Sequence, residues 1–479
     1  MQGSHAWRGG SAVFDEDNLV SHAGLVPLLE LAEQTGLSQL LDEHVRFVDE
    51  RVKSGAANPT PKLTSIIAGM AAGADSIDDL DVIRCGGMNK LFDGVYASAT
   101  LGIFLREFTH GHTRQLSAVL RRHLVALAER TPVLEGIRDR AYVDIDSLLR
   151  PVYGHAKQGA SFGHTKIAGK RILRRGLSPL AVTICTETAA PVLAGVRLRA
   201  GRAGSARGAA SMVTEAINTA IAAGAQAQDV LVRGDSAYCA GKIVAAVVKA
   251  GARFSFAVAR NPAVDAAIAN IPDEQYTPVH YPGAVTDPDT GELISDAQVS
   301  EVDFTAFADN RYRITGRLVV RRVLDANTQD PLFPVWRYHP FFTNNTEPVA
   351  EADITHRGHA ICETVWSDFI DGPWAHQPSG WFPANAAWNI LAAITHNLLR
   401  AAGTLTGTTR YALARGATLR THLINVAARF APPATPARAT PAQPLAQSRG
   451  LAHPLASRLR HLTSPAPPPR APRRPTPRD

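Results

Sequence analysis

The sequence predicts a mixed α/β fold with a helical N-terminal region, a sheet core, and a β-rich insertion that interrupts that core. Three features of the chain predict it. Apolar residues recur at helical spacing through residues 19–130. From about Arg138, short strand-like runs alternate with alanine-rich helical stretches. Residues 260–350 then break the alternation with a segment rich in Pro, Asp and Thr.

The elements follow in chain order. In residues 25–45, Leu25, Leu28, Leu29 and Leu31 precede Thr35-Gly36, and Leu37, Leu40, Leu41 and Val45 follow. Helix, glycine turn and helix is the pattern of a helix-turn-helix, and equally of an ordinary helical hairpin. A second helical run over 100–130 sets Arg106, Arg114, Arg121 and Arg122 among apolar positions, where they can grip phosphates or simply face water. Strands are expected at 140–148, 178–186, 191–200, 228–238 and 253–259, with helices at 207–225 and 240–252 between them. In the insertion, 298–307, 312–323 and 333–342 alternate as strands, and helices resume at 356–370 and 384–403. These readings divide the chain into a helical N-terminal DNA-binding region (1–135), a core in two parts (136–260 and 351–430), the insertion (261–350), and a tail (431–479). The tail holds 13 of the 32 prolines and is expected to be disordered.

Composition narrows the function classes. Lys+Arg 50 against Asp+Glu 43 gives a formal charge of +7, which points first to a polyanion such as nucleic acid. That charge is unevenly placed. The tail holds eight Arg and one acid, so it carries the whole excess, and the body is neutral with 42 bases and 42 acids. The four cysteines, Cys85, Cys185, Cys239 and Cys362, form no CxxC pair, which argues against a disulfide framework or a zinc ribbon and fits a reducing cytoplasm. The histidines show no zinc-ligand spacing beyond His356 and His359. Neither a signal peptide nor an apolar run of the roughly 20 residues that span a bilayer is seen. The expectation is a soluble, cytoplasmic protein without a membrane partner.

Three carboxylates stand out. Strand alternation puts Tyr142, Asp144 and Asp146 on one face of YVDIDS, and two acids on an apolar strand are costly to bury without compensation. Asp235 ends the apolar strand VLVRGDSAY where a loop begins, and ligands of α/β sheets bind at such carboxyl ends. Glu363 falls on a helix after the insertion, with His356 and His359 at preceding positions of a neighbouring face. Each acid alone reads as a surface charge. Together they suit a hard cation such as Mg2+, and a pair of such ions serves in-line phosphodiester attack.

The stretches YVDIDSLLRPVYGHAKQGASFGHTKIAGK (142–170), SARGAAS (205–211), VRGDSAY (232–238), LFPVWRYH (332–339), HRGHAICE (356–363) and PSGWFPANAAWNILAAITHNLLRAAG (378–403) resemble a bacterial insertion-sequence DDE transposase, of the group 1 DDE domain type found in actinobacterial mobile elements. The similarity is collinear over roughly residues 15–430. It implies an RNase H-like mixed-sheet core interrupted by a β insertion, and DNA transposition dependent on two Mg2+ ions, with Mn2+ able to substitute. It implies terminal inverted repeats and target DNA as partners, and a homodimer in the synaptic complex. Asp146, Asp235 and Glu363 match the family's catalytic, metal-holding acids. Asp144 shares the strand face of Asp146 and is the alternative first acid; Ser147, which follows Asp146, favours the latter.

Two departures accompany the resemblance. Where many relatives place Tyr, Arg and Lys around the catalytic Glu, this chain has His356, His359 and Ile370. Beyond about residue 430 the Pro/Arg-rich composition is that of a high-GC gene read in a shifted frame, which suggests a replaced C-terminus. Local charge supports DNA contact: Lys157, Lys166, Lys170, Arg171, Arg174 and Arg175 follow the first acid strand with no acid among them. Trp336 has the aromatic face to stack on an unpaired base, or to fill a sheet core. The competing readings are an impaired transposase remnant that only binds DNA, and a structure-directed nuclease.

Overall fold

The computed structural model describes residues 15–47, 54–92, 94–167, 170–281, 297–324 and 335–430, with isolated positions 11, 286, 288, 289 and 291; the side chains of Lys166, Ile167 and Arg171 are outside the description. The tail, and with it the expectation of disorder there, also lies outside the described residues.

The N-terminal helices are α1 (Leu25–Gln34), α2 (Leu37–His44), α3 (Pro59–Ala72), α4 (Ser98–Arg106) and α5 (His110–Arg130). Gly36, with φ of 73°, supplies the left-handed turn between α1 and α2 at no Cβ cost. The run expected as one helix over 100–130 breaks before Thr109, whose side chain and His112 form a reciprocal N-terminal cap on α5. Leu28, Leu31, Leu37 and Leu41 enter the same apolar core as Ile66 and Ile67 of α3 and Leu120 and Leu124 of α5. The α1–α2 pair thus packs into the body. Its outer surface shows Glu30, Glu33, Asp42 and Glu43, and residues 21–45 contain no Lys or Arg, so the helix expected to enter a major groove would bring carboxylates to the phosphates.

The centre is a nine-stranded sheet. Its strands are β1 (Ala141–Ser147), β2 (Leu180–Cys185), β3 (Val192–Arg197), β4 (Val230–Gly234), β5 (Arg253–Ala257), β6 (Thr277–Pro278), β7 (Ala297–Ala306), β8 (Ile314–Leu324) and β9 (Trp336–Thr343), in the order β6-β7-β8-β9-β5-β4-β1-β2-β3. β1, β4 and β5 run parallel, while β2 and β3 form an antiparallel meander on β1. The strands read from the insertion join this same sheet, because β9 pairs with β5 from Phe341↔Ala257 to Thr343↔Ser255. A hairpin of strands Ser161–Ile167 and Lys170–Leu177 stands apart as a small second sheet.

Helices α6 (Ala209–Ala222) and α7 (Gly241–Lys249) join successive strands, and α8 (Pro262–Ala269) follows β5. After the insertion come α9 (Val349–Arg357), α10 (Cys362–Ile370) and α11 (Phe382–Leu405). All but a few residues of α11 are buried, including Trp388, Asn389 and Asn397, so it runs through the core between the N-terminal helices and β3. Asn397 accepts from the Leu193 N–H and donates to the Leu193 carbonyl, meeting the demands of two polar groups at once. Among the described residues no helix is long and apolar enough to cross a membrane.

Candidate active site

Parallel pairing aligns β1 and β4 so that Ile145 lies opposite Gly234. The next residues, Asp146 and Asp235, therefore emerge side by side at the carboxyl ends of two adjacent strands. Gly234 is closely held there: a Cβ would come within 3.1 Å of Ile145 and 3.3 Å of Phe256. Asp235 turns the chain, its Oδ1 accepting the Ala237 N–H at 2.9 Å, and its side chain is exposed.

The third acid arrives on α10. Trp366 of that helix donates its indole N–H to Asp146 Oδ2 at 2.8 Å, and the Ser147 N–H donates to Oδ1 at 2.7 Å. Glu363 precedes Trp366 by almost one turn, so the contact that anchors Trp366 brings Glu363 toward the same strand end. Burial, then the negative charges of Asp235 and Glu363, push the Asp146 carboxyl up to about 6, against the two hydrogen bonds that pull it down. The three acids therefore share one electrostatic neighbourhood. Among the described residues, however, no three His, Cys, Asp or Glu side chains are gathered tightly enough to hold a metal ion. An all-carboxylate donor set is the chemistry that suits a hard divalent cation.

Asp144 takes a different place. It is 1% exposed and paired with Arg233, its register partner on β4, through Nε–Oδ1 at 2.7 Å and Nη2–Oδ2 at 2.8 Å. Arg233 also lies 4.1 Å from the Tyr142 ring centroid and donates to the Thr355 carbonyl of α9 at 2.8 Å. A carboxylate with both oxygens committed to a buried guanidinium is structural. Arg233 and Trp366 were not singled out in the sequence; an arginine inside the otherwise apolar VLVRG was the signal for a buried counter-ion.

The residues before Glu363 depart from expectation. The helix read over 356–370 is two helices joined by a tight 3-10 turn, Gly358–Ile361. Arg233 packs closely against this turn: a Cβ on Gly358 would meet its Nη1 at 2.7 Å. His356 and His359 therefore do not continue the helical face of Glu363. His356 is buried, stacked on Phe341 with centroids 4.2 Å apart and bonded to Ser255 Oγ at 2.9 Å, and burial holds its pKa well below the ordinary value. Ile370 ends α10 half-buried against the core.

The basic run after β1 divides. Lys157 is half-buried, its ammonium donating to the carbonyls of Gln377 at 2.5 Å and Ser379 at 3.1 Å. Arg175 likewise donates to Gly154 and His155 carbonyls. Lys170 and Arg174 are exposed, while the expectations for Lys166 and Arg171 lie outside the described side chains. Trp336 is half-buried with the Arg322 guanidinium 4.4 Å from its ring centroid, so its face is already occupied.

No curated protein matches the chain. The family model described as transposase DDE domain group 1 matches residues 10–462. The match runs past residue 430 into the Pro/Arg-rich segment, which removes the main support for a replaced C-terminus. With the match spanning nearly the entire chain, the protein belongs to the transposase DDE domain group 1 family.

Proposed function

We propose that this protein is a DDE transposase that cleaves DNA at the ends of an insertion sequence and joins the freed 3′-hydroxyls to target DNA. The observation that carries the reading is the placement of Asp146, Asp235 and Glu363 at two adjacent parallel strand ends and on the helix tied to them, with Asp146 raised first by burial and then by the charges of the other two. The strand order, with an antiparallel meander on β1 and parallel β4 and β5 beyond it, supports an RNase H-like core.

In this reading Asp146, Asp235 and Glu363 hold the divalent ions, Mg2+ or in its place Mn2+. When bound, the ions supply Lewis-acid stabilisation of the phosphodiester and lower the pKa of the attacking water or hydroxyl. The chain's own residues prepare the site. Trp366 and the Ser147 amide fix the orientation of Asp146, Arg233 locks Asp144 out of competition, and the turn at Asp235 presents the second acid to solvent, where DNA approaches. The division into a DNA-binding N-terminal region, a two-part core and an insertion belongs to the same proposal, as do a cytoplasmic setting and a synaptic homodimer.

A second reading, a remnant that binds DNA ends without cutting them, is favoured by Ile370 and by the ungathered acids. The deciding assay uses a duplex carrying the DNA that flanks the gene, with Mg2+ or Mn2+, and compares wild type with Asp235→Ala. Cleavage and joining lost in the variant support the proposal. Binding without cleavage by the wild type supports the remnant, and cleavage indifferent to the substitution refutes the acid assignment.

A further inference from the structure

We infer that the face formed by α5, α6 and the C-terminal end of β3, at the end of the sheet opposite the insertion, is the surface on which the backbone of duplex DNA docks. The inference rests on the transposase reading and names a surface for it. Arg114 and Arg121 of α5 and Arg197 of β3 converge on a single carboxylate, Glu215 of α6. Arg121 Nη1 makes the close bond at 2.9 Å to Oε2, while Arg114 Nη2 and Arg197 Nη2 each stop 3.8 Å from Oε1. Three guanidinium groups against one acid leave surplus positive charge at a site open to water, and Arg114 is 57% exposed. Guanidinium forks left with unmet donors are suited to phosphate oxygens.

Two residues beyond Arg197, buried Arg199 donates to the carbonyls of Ser178, Gly204, Ser205 and Arg207, closing the loop before α6 into a fixed shape. That loop holds Arg202 and Arg207 in the solvent. Arg199 lies within electrostatic reach of Arg197, Arg207 and, most weakly, Asp146. The opposite charge lies elsewhere, on the carboxylate surface of α1 and α2. The two surfaces carry opposite charge, and a polyanion is attracted to the cationic one.

The test is binding of a labelled random-sequence duplex to the full-length protein, read by fluorescence anisotropy across a salt series in EDTA, which prevents cleavage. Arg114→Ala and Arg207→Ala, both at exposed side chains, should each weaken binding roughly three- to tenfold and lower the salt slope by about one. Glu215→Gln should tighten binding, because it removes the anion that competes with phosphate. Arg197→Lys should retain most of the affinity that Arg197→Ala loses. Thermal melts of each variant separate loss of contact from loss of fold. Folded Arg114→Ala and Arg207→Ala proteins with wild-type affinity and slope would overturn the surface while leaving the transposase reading intact. A wild type that binds no duplex at any salt would overturn both.

Discussion

Asp144 and Asp146 lie on the same face of one strand, yet their partners give them opposite roles. Arg233 occupies both oxygens of Asp144 in the interior, whereas Asp146 meets only two N–H donors and two other acids. Removing one partner of a buried ion pair leaves an uncompensated charge, so Arg233→Met should destabilise the protein by about 3–5 kcal/mol in denaturant unfolding. Asp144→Asn should cost stability in the same direction. A variant of either kind that unfolds at the wild-type denaturant midpoint would remove the structural role assigned to the pair. Buried histidines make a second residue-scale prediction. Buried Thr35 Oγ1 lies 2.9 Å from His123 Nε2. Burial lowers the His123 pKa to about 3, and His396 to about 4. Both rings are neutral in the fold and protonate more readily in the unfolded chain. Stability is therefore full above the ordinary histidine pKa of 6.5 and falls as pH drops from there toward 4, at about 1.4 kcal/mol for each unit of pKa displacement. Melting temperatures measured from neutral pH downward check this, with His123→Gln expected to flatten the decline.

At the scale of elements, α10 carries Glu363, the proposed third acid, and the Trp366 indole ties it to β1. Trp366→Phe keeps the ring but removes the N–H that holds Asp146. Cleavage should slow by roughly tenfold or more, the worth of a hydrogen bond to a charged group, with duplex affinity and melting temperature near wild type. Equal cleavage rates for Trp366→Phe and wild type would show that Asp146 is positioned by other contacts. The elements themselves were largely legible, because period and length mark them: VLVRG and RFSFA are short apolar runs bounded by turn residues, and the structure has them as β4 and β5. What escaped depends on partners far along the chain. At the break, Gly358 packs against Arg233, and residues 125 positions apart leave no mark on local periodicity. The insertion was legible as strands, but its union with the core sheet rests on Phe341 meeting Ala257, which no alternation pattern reveals. The acids were visible as residue types out of place on apolar strands, whereas the pairing of Asp144 with Arg233 depends on the cross-strand register.

Across the whole molecule, the described ends of the chain meet. Residues Leu19–Val20 pair with Ala428–Arg429, the Phe430 N–H donates to the Asn18 carbonyl at 2.8 Å, and Arg429 lies 3.7 Å from Glu16. Phe430 also packs against the main core. Everything that gives the protein its net charge follows after it, since residues 431–479 carry eight Arg and one acid. A chain ending at residue 430 should therefore melt within a few degrees of full length and retain any Mg2+-dependent cleavage that depends on Asp235. Its affinity for random duplex should fall, with a shallower salt dependence, because each lost phosphate contact takes about one counter-ion from the slope. The cationic face of α5, α6 and β3 should still bind, so Arg114→Ala in the shortened chain should weaken binding further and proportionately more than in full length. If shortening instead abolishes binding altogether, the charge that matters lies in the tail, and the neutral body has no DNA surface of its own. Measured together on the shortened chain and its Arg114→Ala form, the two slopes separate a charge that concentrates DNA near the protein from one that orients it toward Asp146.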